Sequence, residues 1–245
     1  MNLNFKIKEV DQEGLEILDV VSKADKLNTW MFKTIEPHCK GSILEIGSGI
    51  GNISQYFVLN KDDITVSDLR ENYRSILKNK FHLLDEKVLN LDIVDFNFDV
   101  NCKNLLNKYD SIFALNVVEH IKDDDLAIKN MVKMLKPGGT LVILVPAYQA
   151  LYNNFDVTLE HYRRYNKRTL SSLMSKYGKI HKTFYFNAVG ILGWWISGKL
   201  FKNKMIPEGE MKLYNKLVPI IKIVDKITGN KFGLSVICVI KRSFE

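Results

Sequence analysis

ILEIGSGIGNIS, residues 43 to 54, decides the fold, because it joins a short buried-strand pattern to the start of a helix through a turn with three glycines. Ile43, Leu44 and Ile46 form the apolar run of a parallel strand buried on both faces, and Ile53, Tyr56 and Phe57 begin a helical spacing. Between them stand Gly47, Ser48, Gly49 and Gly51. Glycines accept φ > 0 and let a ligand lie against the backbone, where amides at a helix start donate to it. The pattern fits a nucleoside cofactor. A tight turn without a ligand would use the same residues, so the turn needs support from elsewhere in the chain.

Working outward, Leu15 to Pro37 reads as one helix leading into the turn, with Trp30 either lidding the cofactor or packing in the core. After the turn come a strand at Ile64 to Ser67, a helix at Glu71 to Lys80, and strands at Lys87 to Leu91 and Ser111 to Leu115. A helix at Asp124 to Leu135, a turn at Pro137-Gly138-Gly139 and a strand at Thr140 to Val145 follow. This alternation predicts an α/β fold with a doubly wound, Rossmann-like parallel sheet. The last third reads as a helix at Lys167 to Tyr177 capped by Asn166, a strand at Ile180 to Phe186, an apolar segment Ala188 to Leu200, a helical pattern Leu213 to Ile227 broken by Pro219, and a strand at Phe232 to Lys241.

Two acids support the cofactor reading. Asp68 ends the second strand about twenty residues beyond the turn, where a carboxylate accepts ribose hydroxyls, and Asp92 follows the third strand, placed to accept from an adenine amino group. Both also suit simple turn or helix-start roles. With 46% hydrophobic and 26% charged residues, a chain of 245 fits one soluble domain with a large core. Its amino terminus, MNLNFKIKEVDQEG, lacks the apolar segment of a secretory signal, so a cytoplasmic location is expected. Cys39, Cys102 and Cys238 are odd in number and widely spaced, which suggests neither disulfides nor a cysteine zinc site. The net charge of +7 comes from dispersed lysines with modest clusters such as Lys199, Lys202 and Lys204 and no arginine-rich tract, so it does not by itself select a partner.

Glu45-x-Gly47-x-Gly49-x-Gly51, Asp68, Asp92, YDSIFALNVVEHIKDD (109 to 124) and LKPGGTLVILVP (135 to 146) together resemble the class I S-adenosylmethionine-dependent methyltransferases across nearly the whole chain. The resemblance implies a sheet of order 3-2-1-4-5-7-6 with strand 7 antiparallel, an N-terminal helix, and a helical insertion between strands 6 and 7. It implies one domain over 1–245, divided into a helical cap (1–40), a cofactor core (41–146), an active-site insertion (147–166) and a helical insertion (187–230). The cofactor is then S-adenosylmethionine, leaving as S-adenosylhomocysteine. Its site would be Glu45, Gly47, Ser48, Gly49 and Gly51, with Asp68 and Leu69 at the ribose, Asp92 and Ile93 at the adenine, and Asn116 and Val117 at the methionine end. Glu45 would face the methionyl ammonium or hold the loop. A narrower likeness, carried by YNNFDVTLEHYRRYNKRTL (152 to 170), YFNAVGILGWW and LYNKLVPIIKIVD, is to the bacterial type 11 and type 12 branch, whose members often accompany cell-envelope glycan genes.

Methyl transfer from a sulfonium needs chiefly positioning, and an alcohol acceptor also benefits from a base. His120 after the fourth strand and His161 in the insertion after the fifth are the catalytic candidates, although Glu119-His120 also serves to structure loops. Arg163 and Arg164 would hold a phosphate or carboxylate, or else pair with Asp156 and Glu160. Tyr148, Tyr152 and Tyr162, beside Tyr165, would line the acceptor pocket. Some relatives hold magnesium between two glutamates and histidines of this region, a set that Glu119 and His120 with His161 would imitate, but Asn116 stands where the additional glutamate would be, and no metal is expected. The favoured reaction is O-methylation of a saccharide, glycan precursor or related small metabolite. Alternatives are a nicotinamide-dependent oxidoreductase, disfavoured because no Tyr-x-x-x-Lys pair is present, and a non-catalytic cofactor-binding subunit. A nucleic-acid substrate is not expected, since Asn116-Val117-Val118-Glu119 replaces the Asn/Asp-Pro-Pro-aromatic motif. Residues 188–227 offer either core-packing helices or a peripheral membrane contact. Oligomeric state is not readable.

Overall fold

The chain enters the fold through two helices where the spacing predicts one, α1 (Gln12–Ser22) and α2 (Asp25–Ile35). The break has a local cause: the Asn28 side chain donates to the Val21 carbonyl, and Ala24 between them is fully buried. The computed structural model describes residues 12–200 and 207–244. Residues 1–11 of the amino-terminal stretch read above for a signal segment, and Lys202 and Lys204, lie outside the described residues.

The buried run after α2 forms β1 (Ile43–Ile46), followed by α3 (Ser54–Leu59), β2 (Ile64–Ser67) and α4 (Glu71–Phe81). The third strand is shorter than its apolar run suggests. Only Val88–Leu89 pair as β3, because Asn90 turns to the Arg74 guanidinium and Leu91 leaves the sheet for the core. Then come α5 (Phe98–Asn101), β4 (Tyr109–Leu115), α6 (Asp124–Met134) and β5 (Leu135–Pro146). The Pro137-Gly138-Gly139 turn is a bulge inside β5: Tyr109 pairs with Leu135 and Ser111 with Thr140, so the residues between are looped out. The chain continues through α7 (Asn154–Thr158), α8 (Lys167–Met174), β6 (Lys179–Phe186), α9 (Gly190–Trp195) with a π-helical extension Ile196–Leu200, α10 (Glu208–Ile227) and β7 (Ser235–Lys241). Asn166 caps α8 through Thr169 N, as the sequence suggests. Pro219 does not break α10. It faces solvent, and the core positions Val218 and Ile221 on either side hold one continuous helix.

The seven strands form one sheet in the order β3-β2-β1-β4-β5-β7-β6, parallel except for β7, which pairs antiparallel with both β5 and β6. Successive residues of the buried strands feed opposite faces. Leu44 and Ile46 join Ile112, Leu141 and Ile143 under α6 and α8, while Ile43 joins Phe113 and Val142 under α2, α3 and α10. Every parallel strand therefore releases its chain at one edge of the sheet, and the loops after β1, β2, β4 and β5 meet there.

Candidate active site

At that edge the glycine turn bends sharply. Gly47 and Gly49 have φ of +68° and +54°, and a Cβ at Gly47 would lie 2.6 Å from Val117 Cγ2. The loop after β1 is thus pressed against the loop after β4, which no side chain at position 47 would permit. On its outer side Leu18 of α1 covers Gly49, and the Asn52 side-chain amide donates to Leu18 O at 3.0 Å. Trp30 instead packs on Phe186 with ring centroids 4.2 Å apart, which takes the core alternative and leaves the covering role to α1. Ser48 locks the turn to β2, donating its amide to Ser67 O and accepting Ser67 N at its hydroxyl.

Asp68, buried at the end of β2, accepts Gly49 N on Oδ2 at 3.0 Å and Arg70 N on Oδ1 at 2.9 Å. Arg74 holds the same loop by donating to the carbonyls of Asp68 and Leu69. Leu69 itself is exposed at the rim. Asp92 accepts Val94 N, and neighbouring Ile93 is buried in the core. Glu45 is buried and takes a hydrogen bond from the Ser54 hydroxyl; burial pushes its pKa up to about 7. That bond ties β1 to the start of α3, which is the loop-holding role.

The loops after β4 and β5 build a different wall. Asn116 stands exposed at φ +54° with its amide on Leu144 O, and Val117 closes on Gly47. The next turn carries Glu119, fully buried, with neither carboxylate oxygen hydrogen-bonded. Burial pushes its pKa up to about 8, so the carboxyl holds its proton near neutrality. Its backbone carbonyl accepts Tyr162 N at 2.8 Å, which ties the insertion after β5 to this turn.

Within that insertion, α7 begins with a capping box in which Asn153 and Asp156 satisfy each other's amides. Asp156 Oδ1 then bonds His161 Nδ1 at 2.8 Å and Arg164 Nε at 2.7 Å. His161 is buried, and burial lowers its pKa despite the carboxylate beside it, so the ring is neutral at pH 7. With a proton on Nδ1 facing Asp156, Nε2 carries a lone pair, 4.0 Å from Glu119 Oε1. The exposed His120 lies edge-on to His161, ring centroids 4.6 Å apart. One donor atom from each of Glu119, His120 and His161 falls within 4.8 Å of the others, a spacing that a divalent cation can bridge.

The remaining sequence candidates divide. Tyr152 Oη donates to His161 O at 2.6 Å, so this tyrosine backs the histidine. Tyr148 sits at φ +61° and stacks on Tyr185, with burial raising its pKa to about 12. Tyr162 is half-buried beside the Arg163 guanidinium. Neither arginine presents an open fork. Arg164 is buried between Asp156, the Ala147 carbonyl and the Trp194 ring, and Arg163 pairs with Asp124 at 2.7 Å and donates to Lys122 O. The ion-pair alternative describes both, although Arg163's partner is Asp124 rather than Glu160. A shallow depression at the opposite edge of the sheet, lined by His38, Lys40, Asp110 and His181, is remote from all of these groups.

A methyltransferase-domain family model matches residues 22–178, well over half of the chain. The chain belongs to the methyltransferase-domain family. A hybrid PKS-NRPS synthetase, iliA, of Neonectria sp. (strain DH2) is 32% identical over 129 residues, covering 50% of this chain and 3% of that protein. The ubiquinone biosynthesis O-methyltransferase of Coxiella burnetii (strain Dugway 5J108-111) is 26% identical over 99 residues, covering 40% of this chain and 41% of that enzyme. The chain thus spans less than half the length of these curated relatives. Among solved structures, a SAM-dependent methyltransferase from Archaeoglobus fulgidus superposes with a TM-score of 0.62 at 16% identity, over 95% of this chain and 100% of the other.

The cofactor of these class I methyltransferases is S-adenosylmethionine, and the residues present fit it. Each Asp68 oxygen accepts one backbone amide and retains a second lone pair, which leaves two acceptor positions for two ribose hydroxyls. Sequence reasoning named the histidine and the aspartate but not the bond between them. Glu119 was legible as a candidate metal ligand with His120 and His161, whereas its complete burial was not.

Proposed function

We propose that this methyltransferase transfers a methyl group from S-adenosylmethionine to a hydroxyl of a saccharide or related small envelope metabolite, with His161 as general base. The observation that carries the reading is the Asp156–His161 pair, a buried neutral imidazole whose tautomer is fixed by a carboxylate. A hydroxyl acceptor needs such a base as its bond to carbon forms, whereas an amine can arrive already deprotonated. Bound S-adenosylmethionine supplies an activated methyl carbon for in-line displacement. Asp68 and Asp92 hold the nucleoside, Gly47 and Val117 set how closely the two loops approach it, and α1 covers the turn through Leu18. His161 Nε2 takes the hydroxyl proton, and Asp156 stabilises the imidazolium that results. Tyr148 and Tyr162 offer the aromatic and polar wall that a sugar ring suits. The Coxiella relative, by name an O-methyltransferase, supports oxygen as the acceptor atom.

The test is a labelled-methyl transfer screen over nucleotide sugars, lipid-linked saccharides and matched amino sugars. Label on hydroxyls, lost in His161→Ala while S-adenosylmethionine binding persists, is the expected result. Label found solely on amines would overturn it.

A further inference from the structure

The helix α10 has two apolar faces, and the fold uses one. Met211, Val218 and Ile221 are buried against the protein. Leu213, Leu217, Ile220 and Ile227 stand in solvent, with exposures from 42% to 79%. Their spacing of i, i+4, i+7 and i+14, with half-buried Val224 at i+11, aligns them in one stripe about 20 Å long at 1.5 Å per residue.

Beyond the first turn of α10, where Glu208, paired with Lys23 and Lys212, and Glu210 are exposed, the charges around this stripe are basic. From Lys212 to Ile227 every exposed position is a lysine, leucine, isoleucine or proline. The one acid in that span, Asp225, is turned inward, where its oxygens accept the amides of Asn187 and Ala188 at 2.6 and 2.7 Å. Lys216 and Lys226 lie along one border of the stripe, long enough to lay their stems beside it and lift their ammonium groups clear. Among the described residues no helix is long and apolar enough to cross a membrane, so a bilayer would meet this helix lying flat.

We propose that α10 docks the enzyme on an anionic lipid surface, with Leu213, Leu217, Ile220 and Ile227 entering the headgroup boundary and the lysines meeting lipid phosphates. A second copy of the chain is a poorer occupant, because pairing these faces brings lysine against lysine. The proposal is independent of the acceptor and of the base.

The test uses the full chain with phosphatidylcholine vesicles, either alone or with about a third phosphatidylglycerol, in a flotation assay. Binding to the anionic vesicles, at least ten-fold weaker in Leu217→Ser/Ile220→Ser and weakened also by Lys216→Glu/Lys226→Glu, is the expected result. All of these positions are exposed, and an unchanged melting temperature confirms that the variants fold. Absence of binding, or binding that the folded variants retain in full, overturns the proposal. So does light scattering that shows a dimer dissociated by Ile220→Ser.

Discussion

Asp68 and Asp156 are both buried acids at the rim of the same site, and they are satisfied in opposite ways. Asp68 accepts two backbone amides, from Gly49 and Arg70. Asp156 accepts the Asn153 amide but gives its other oxygen to two side chains, His161 and Arg164. Backbone donors are present whatever residues surround them, so the cofactor wall depends on chain path. Side-chain donors vanish on substitution, and the acceptor wall therefore depends on the identity of each residue. A separate difference divides Glu45, which takes a side-chain donor in the Ser54 hydroxyl, from Glu119, whose oxygens have no hydrogen-bond partner.

The largest effect that tests this contrast is expected from Asp156→Ala, which strands the Arg164 charge in a buried place. Breaking a buried pair from one side costs about 3–5 kcal/mol, and in a domain of this size that lowers the melting temperature by roughly 6–20 °C. A drop under 2 °C in calorimetry would dismiss the view that the acceptor wall hangs on side chains. Next, His161→Ala should slow transfer by roughly 10²–10⁴-fold while titration with S-adenosylmethionine gives an unchanged affinity. Full activity in this variant removes His161 from the mechanism. Asp68→Ala has the opposite profile: loss of two charge-assisted hydroxyl contacts weakens cofactor binding by about 100-fold, and stranding the buried Gly49 amide, at about 1–3 kcal/mol, lowers the melting temperature by roughly 2–12 °C, less than Asp156→Ala does. Calorimetric titration beside a melt would separate those two outcomes.

The smallest effect concerns Glu119. Its carboxyl holds a proton up to about pH 8 in the folded chain, whereas an unfolded glutamate loses it near 4.5. Between those values the folded state binds more protons, so this group makes stability fall as pH rises and level off above the higher value. Glu119→Gln should match the parent at pH 4 and melt higher at pH 8.5 by about 3 °C or more, the shift expected from ~1 kcal/mol. Identical pH profiles for the two proteins would show that Glu119 ionises freely.

Much of this could be read beforehand, and unevenly. The alternation of strands and helices and the cap at Asn166 followed from apolar runs and turn residues, whereas the strand order and the antiparallel β7 followed from the resemblance to class I methyltransferases. Three local readings failed, one to a nearby side-chain bond and two to distant contacts. Asn28 splits the entry helix by binding Val21 O, the core contacts of Val218 and Ile221 carry α10 through Pro219, and pairing with β4 turns a glycine turn into a bulge. On the acceptor wall, residue types were visible and their partners were left open. Arg164 read either as an anion clamp or as a partner of Asp156, and its fork is closed on Asp156 and Ala147.

The sequence alone determined the parallel sheet, the glycine turn and the acids that follow the strands, because these depend on backbone geometry and on periodicities within a few residues. Tertiary structure decided the rest: that Val117 meets Gly47, that Glu119 is buried beside His161, that α1 covers the turn, and that one face of α10 is left in solvent. Those facts depend on which residues, far apart in the chain, exclude water from one another, and no local pattern records that.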